Sequence, residues 1–202
     1  MHTAKPHDEA HAHADGHSAS DQSPTADAAV RLFAGPGEMR ARCRASDWGA
    51  TPLGPVETWP QSLRTVAGLV LASGFASLVL WGPELVQLYN DAYVPFLGVK
   101  HPRALGAPTY ACWPEVRHLT QPVFAAVLRG ETVTQREQRY PLRRRGPDQP
   151  ADDVYVTLSF VPVRDEAGGA TGAPRANARD YLPAEQRGHV GVVPRGELPL
   201  PR

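Results

Sequence analysis

Two short apolar runs joined by a tight turn set the strongest limit on how this chain folds. The sequence LVLWGPELVQLY, residues 78–89, places Gly82-Pro83 between segments rich in Leu, Val and aromatic residues. Runs of this length around a Gly-Pro turn favour a β-hairpin. The Asn90-Asp91 pair then offers a side chain that can cap a short helix directly after the hairpin. We therefore predict strands at 76–81 and 84–89, followed at once by that helix.

The remaining pattern predicts an α+β domain with an antiparallel sheet. Apolar residues recur at helical spacing over residues 61–73, and a second helix is expected over 120–130. Residues 154–163 alternate apolar and polar side chains and give the clearest strand, whereas residues 131–144 are predicted to form a more polar, exposed strand. The predicted order of elements is typical of this fold class: a helix, two strands, short helices, a helix and two further strands.

Charge and cysteine content exclude several classes of partner. The chain has 21 basic and 21 acidic residues, which gives no electrostatic reason to expect nucleic acid or an anionic membrane. Two cysteines are too few for a disulfide scaffold, and the absence of a secretory leader makes the cytoplasm the expected location. The uncharged run over residues 65–83 approaches the ~20 residues of a membrane span. Because Ser73-Gly74 interrupts that run, a helix followed by a strand is the better interpretation.

Local composition divides the chain into four regions. Residues 1–38 form a His-rich leader that is expected to be disordered, because it has few large apolar groups. Residues 39–75 hold a Trp-rich lead-in and the amphipathic helix, residues 76–167 the folded domain, and residues 168–202 a Gly/Pro/Arg-rich tail that is also expected to be disordered. A His-rich tract could bind a transition metal, but accidental His content is the favoured interpretation, and no metal site is predicted.

At this point the sequence resembles a family. The run LVLWGPELVQLYNDAYVPFLGVKHPRALGAP followed by CWPEV is similar to the PAS domains that begin many bacterial sensor histidine kinases. The segment DWGATPLGPVETWPQSLRT resembles the lead-in of that subgroup, and VYVTLSFVPVRDEAGG its late strand. The resemblance covers residues 39–169 and implies a five-stranded antiparallel sheet with helices on one face, enclosing a small cavity.

The end of the chain departs from the family. Family members continue with an apolar fifth strand in the middle of the sheet, whereas this chain continues with ATGAPRANARDYLPAEQ. We therefore expect a PAS-like sheet without a regular fifth strand, as a truncated or frame-shifted reading of a longer kinase gene would give. Residues 189–193 serving as a displaced fifth strand are the alternative.

The resemblance implies a non-catalytic sensory or protein-interaction module of a two-component signal transduction system. Its expected partners are an output kinase domain of a parent protein and a second copy bound through the 61–73 helix. One alternative is a fragment of a sensor histidine kinase without its kinase core, and another is an unstable fragment without function. No catalytic residue is predicted, because the chain has neither a kinase core nor a phosphate-binding glycine loop.

Aromatic and polar residues of the central region are the candidate lining of a ligand cavity. They are Trp81, Tyr89, Asn90, Tyr93, Trp113 and His118. Core packing is the alternative for the aromatic residues, and helix capping for Asn90. His118 stands where some haem-binding PAS domains place an iron ligand, although a surface or capping role is preferred. Cys112 lacks the setting of a flavin-adduct cysteine and is expected to be a small buried hydrophobe. The sequence names neither a ligand nor a cofactor.

Overall fold

The computed structural model describes residues 24–166 and 189–195. Its strands are β1 (Leu78–Trp81), β2 (Val86–Tyr89), β3 (Val133–Leu142), β4 (Asp152–Val163) and β5 (His189–Arg195). Its α-helices are α1 (Pro24–Leu32), α2 (Glu38–Ala45), α3 (Gln61–Ala72), α4 (Val94–Leu97), α5 (Thr109–Cys112) and α6 (Arg117–Leu128). The predicted α+β class is confirmed, because helices pack on a single five-stranded sheet whose paired strands are all antiparallel.

The strand order is β2-β1-β5-β4-β3, so the two hairpins flank the strand that comes last in the chain. In the first hairpin Leu78 pairs with Tyr89 and Leu80 with Gln87. Since opposite residues of an antiparallel pair point to the same face, these four side chains share one face of the sheet. The second hairpin, β3 and β4, contains an irregularity between Gln135 and Gln138.

The expectation of a sheet without a regular fifth strand is wrong. β5 lies at the centre of the sheet, where it pairs with β1 and with β4. The physical reason is that β1 and β4 would otherwise each present an unpaired edge of buried N–H and C=O groups. The displaced strand that the sequence left as the alternative supplies the missing partner. Residues 168–188 and 196–202 of the expected disordered tail lie outside the described residues, as does residue 167.

The leader is shorter than predicted, because α1 and the start of α2 fall within it. Phe33, which follows α1, is fully buried, and its ring centroid lies 5.9 Å from those of both Trp48 and Trp59. Met39 and Cys43 of α2 are also fully buried. These apolar residues give the first two helices a core to pack against. Residues 1–23, with the five histidines, lie outside the described residues, so the metal hypothesis stays a prediction.

The helix α3 covers the sheet at β1 and β2. Its apolar side includes Leu63, Ala67 and Val70, all buried, and the helix contacts both strands. Every residue of β1 and β2 is buried, so this end of the sheet is covered on both faces. The expectation that helices cover only one face of the sheet therefore does not hold for the first hairpin. It holds for β4, because Tyr155 and Val161 are exposed on the face that the helices leave uncovered.

Within the described ranges 24–166 and 189–195, no helix combines the length and apolar character that crossing a membrane requires. The uncharged run that raised the question is divided between α3 and β1, with a bend at Gly74-Phe75. The interruption seen in the sequence therefore corresponds to the end of a helix.

Candidate functional site

A cavity of about 80 Å³ lies between the sheet and the segment that connects the two hairpins. The sheet side of its wall comes from Leu78 and Leu80 of β1 and from Val156, Leu158 and Phe160 of β4. Alternation along each strand places these side chains on one face. The cavity therefore lies on the face of β4 opposite the exposed one.

Aromatic residues form much of the other side of the cavity. Tyr93 and Phe96 stack with ring centroids 5.5 Å apart, and Phe124 of α6 meets Phe160 of the sheet edge-on at 5.8 Å. Trp113 completes this part of the wall. The helix α6 presents Phe124 inward because its buried residues recur three and four positions apart.

The cavity wall carries no formal charge. All of its residues are aliphatic, aromatic or threonine. Burial raises the pKa of the Tyr110 and Tyr140 hydroxyls to about 12, and in Tyr140 a hydrogen bond with Gln135 offsets part of that effect. These phenols therefore stay protonated at neutral pH, so the wall suits an uncharged occupant.

Two of the six candidate site residues lie in the cavity wall, Tyr93 and Trp113. Trp81 pairs with Val86, and alternation places both on the opposite face of the sheet from Leu80, so Trp81 is core. Tyr89 lies on the cavity face, but its hydroxyl is 2.9 Å from Nδ1 of His101.

Asn90 is a structural residue, since its side-chain amide is saturated by the backbone. Its Oδ1 accepts hydrogen bonds from the N–H groups of Ser77 and Tyr93, at 3.0 and 3.2 Å. Its Nδ2 donates to the carbonyl oxygens of Ser73 and Phe75, at 2.9 and 2.7 Å. The predicted capping role is therefore present, because the bond to Tyr93 caps the helical turn Asp91–Tyr93.

Neither His118 nor Cys112 lines the cavity. His118 is exposed in the first turn of α6 and is not part of the cavity wall. Cys112 is half-buried, and burial raises the pKa of its thiol. In the part of the chain that the structure describes, no three His, Cys, Asp or Glu side chains are grouped as metal ligands would be.

Sequence reasoning missed an ion pair that holds the Trp113 side of the cavity. Lys100 Nζ lies 2.6 Å from Oε1 of Glu115 and 4.0 Å from the centroid of the Trp113 ring, and it donates to the Cys112 carbonyl at 2.7 Å. The same Glu115 oxygen accepts from the Arg143 N–H at 2.8 Å. The pair thus ties three segments together, and since its members are fifteen residues apart, local pattern gave no signal for it.

We expect Glu115→Gln to flatten the loss of stability in acid. Burial raises the pKa of Glu115, but the bonds from Lys100 and the Arg143 N–H outweigh burial and leave the pKa below its ordinary value of 4.5. A lowered pKa contributes stability above that ordinary value, and the contribution is lost as pH falls through the folded pKa. Denaturant unfolding from about pH 6 to 3 should show a smaller decline for the variant than for the wild type. Glu84→Gln, at an exposed position, is the control, and an equal decline in both variants would contradict the assignment.

Two connections join the cavity region to the N-terminal helix α2. The Asp91 carboxylate accepts a hydrogen bond of 2.9 Å from the N–H of Met39, in the first turn of α2. His101, bonded on one side to Tyr89, lies 3.0 Å through Nε2 from Oε1 of Glu38. Hydrogen bonds from Arg42 and then His101 hold the pKa of Glu38 below its usual value. Through these bonds Asp91 and His101 are connected to α2.

A comparison with protein-family models finds no match to this chain, and a comparison with curated proteins finds no relative.

Proposed function

We propose that this chain is a PAS-type sensory input module of a two-component system, without catalytic activity of its own. It would take a small uncharged molecule into the cavity and pass occupancy to an output kinase domain of a parent protein. The observation that carries the proposal is an apolar cavity on the inner face of a five-stranded antiparallel sheet, with hydrogen bonds joining its surroundings to an N-terminal helix.

The size of the cavity limits the ligand. Drug-sized ligands occupy pockets of roughly 300–1,000 Å³, whereas this cavity measures about 80 Å³. An engineered apolar cavity of about 150 Å³ binds benzene. A molecule no larger than a single small ring is therefore the expected occupant. Charged ligands are disfavoured, because an unpaired charge in an apolar site is costly.

Signal transfer would follow from the contacts of the cavity wall. Tyr93 lines the cavity and its ring centroid lies 5.8 Å from that of Tyr89. Tyr89 is bonded through His101 to α2, and Asp91, two residues before Tyr93, caps the same helix. A ligand that favours one position of Tyr93 would shift the population of α2 between two packings, by as much as its affinity for the two differs.

We expect cyclopropane to bind to the wild type and to shift amide resonances of α2 in ¹H–¹⁵N NMR spectra. Val156→Phe should abolish both effects, because Val156 lies in the cavity wall and the added ring fills the space. Val161→Phe is the matched control, since Val161 lies on the same strand with its side chain 43% exposed on the other face.

Two results of this titration would contradict the proposal. Shifts that persist unchanged in Val156→Phe would place the binding elsewhere. Saturable shifts confined to the cavity wall, with none in α2, would leave a binding protein without the proposed signalling route.

We place the proposed homodimer contact on the outer side of α3 and not on its apolar face. Val70 is buried against the sheet, whereas Leu69 is 66% exposed. We expect Leu69→Asp to weaken self-association about tenfold or more in sedimentation experiments, because a charge would enter the interface. Thr65→Asp, exposed one turn earlier, tests how far the contact extends. Unchanged association of Leu69→Asp would remove α3 from the interface.

A further inference from the structure

His101 lies between α2 and the first hairpin and is hydrogen-bonded to both. Its Nε2 is 3.0 Å from Oε1 of Glu38, the first residue of α2, and its Nδ1 is 2.9 Å from the hydroxyl of Tyr89, the last residue of β2. A neutral imidazole has one donor nitrogen and one acceptor nitrogen. Because a carboxylate only accepts, Nε2 carries the proton, and Nδ1 accepts from the Tyr89 hydroxyl. Both bonds of the neutral ring are therefore satisfied.

The two partners of the ring keep their protonation states between about pH 5 and 8, the range in which histidine is the side chain that ordinarily titrates. Hydrogen bonds from Arg42 and then His101 hold the pKa of Glu38 below its usual value, so Glu38 stays a carboxylate. Burial raises the pKa of the Tyr89 hydroxyl, so that hydroxyl keeps its proton. The imidazole side chain is 12% exposed, and solvent protons therefore reach it. Of these three side chains, the ring is the one that changes charge.

Protonation of the ring keeps one hydrogen bond and reverses the other. With both nitrogens as donors, Nε2 still donates to Glu38, but Nδ1 now donates to the Tyr89 oxygen. The Tyr89 hydroxyl proton then needs a new acceptor. In residues 24–166 the structure gives this hydroxyl no hydrogen-bond partner besides His101, and Tyr89 is fully buried. Since a buried donor without a partner is costly, the Tyr89 side chain has to change its position.

We propose that His101 is a pH-sensitive switch between α2 and the first hairpin, whose protonation displaces the Tyr89 side chain while Glu38 stays bound. This inference goes beyond the proposed sensing of a ligand and does not require an occupied cavity. The ring centroids of Tyr89 and Tyr93 are 5.8 Å apart, so the displacement should be felt at Tyr93. A carboxylate, an imidazole and a hydroxyl in series also form nucleophilic triads, but Tyr89 is fully buried and is not part of the cavity wall.

Charged and titratable groups surround the ring and its two partners. The Glu38 carboxylate favours protonation of the ring, whereas Arg42, which donates to the same Glu38 oxygen at 2.8 Å, opposes it. Burial raises the pKa of the Cys43 and Cys112 thiols, so both stay neutral in this range. The surrounding groups are Glu38, Arg42 and Cys43 of α2, Asp91 after β2, Cys112 of α5, and Lys100 (paired with Glu115) and Arg103 next to His101 in the chain.

The test is a ¹H–¹⁵N NMR titration of the full chain from about pH 8 to 5. We expect the amide resonances of Glu38 and Tyr93 to move with one midpoint, which is also that of the His101 ring nitrogens. Tyr89→Phe keeps the aromatic ring but removes the hydroxyl, so it should lose most of the response at Tyr93 and keep the response at Glu38. The control is His118→Gln, at an exposed position, which should leave both responses unchanged.

Two results would overturn the switch. A Tyr93 response that persists in Tyr89→Phe would mean that the charge of the His101 ring acts without the hydroxyl. Ring ¹³C resonances of Tyr89 in the wild type that do not follow the His101 midpoint would show that Tyr89 does not move, and this readout stands even where the variant fails to fold. Binding of cyclopropane is measured separately at constant pH, so failure of the switch and failure of the proposed ligand-binding function are distinguishable.

Discussion

Replacement of Asn90 by alanine is expected to lower the free energy of unfolding by about 3–4 kcal/mol. The change removes four hydrogen bonds from a side chain that is 2% exposed, and each contributes roughly 1 kcal/mol net. The lost bonds join the loop after α3 to the corner after β2. For a domain whose total stability is about 5–15 kcal/mol, this is a large fraction. Urea unfolding monitored by tryptophan fluorescence gives the value.

The variant Asn90→Asp separates the two halves of this network. It keeps an oxygen for the N–H groups of Ser77 and Tyr93 but turns a second oxygen toward the carbonyl groups of Ser73 and Phe75. At neutral pH we expect a loss at least as large as for alanine, because a buried charge would face two acceptors. Gln149→Ala, which also removes an amide but at an exposed position, should change stability by less than about 0.5 kcal/mol. A loss below about 1 kcal/mol for Asn90→Ala would show that the loop is held by other contacts.

The sequence predicted β1 to β4 within two residues at their ends, because apolar runs, alternation and turns are all local in sequence. The two N-terminal helices were missed for the opposite reason. Phe33 is a single aromatic residue in a weakly apolar stretch, and it becomes core only by meeting Trp48 and Trp59. Burial of that kind is a tertiary property, and periodicity does not report it.

The candidate site was predicted in part, and strand register explains the difference. Tyr93 and Trp113 line the cavity, whereas Trp81 lies one position out of phase with Leu80 and so on the other face. Side-chain direction reverses at every residue of a strand, and aromatic composition alone cannot assign a face.

The central position of β5 shows why its prediction was harder than that of the other strands. HVGVVPR is short, contains a glycine and follows a long polar segment, so its intrinsic strand signal is weak. It pairs because β1 and β4 both present free backbone groups to the same gap. Context outweighs propensity for a central strand, which is the general behaviour of β-structure.

The second large effect is expected at Gly98, where alanine should destabilise the fold by about 2–5 kcal/mol. Gly98 has φ 54° and ψ −128°, and a positive φ costs an alanine roughly 1–2 kcal/mol. A Cβ at this position would lie 2.2 Å from the carbonyl oxygen of Arg144, and overpacking of this kind adds about 1–3 kcal/mol. That oxygen cannot simply move away, because it accepts the Val99 N–H at 2.9 Å and joins the segment after α4 to the end of β3.

Two other glycines separate the contributions to this effect. Gly82→Ala meets no atom within 4 Å but has φ 73°, so it should show the conformational cost alone, about 1–2 kcal/mol. Gly68→Ala, in the middle of α3 with open space around it, should stabilise the protein by up to about 1 kcal/mol through helix propensity. Equal losses of unfolding free energy for the two alanine variants at Gly98 and Gly82 would mean that the backbone at Arg144 moves to accommodate the new methyl group. A clearly larger loss of unfolding free energy for Gly98→Ala would show that the segment after Tyr93 is held rigidly against the second hairpin. The proposed sensing function requires this rigidity, because a wall that moved freely could not transmit the position of a ligand.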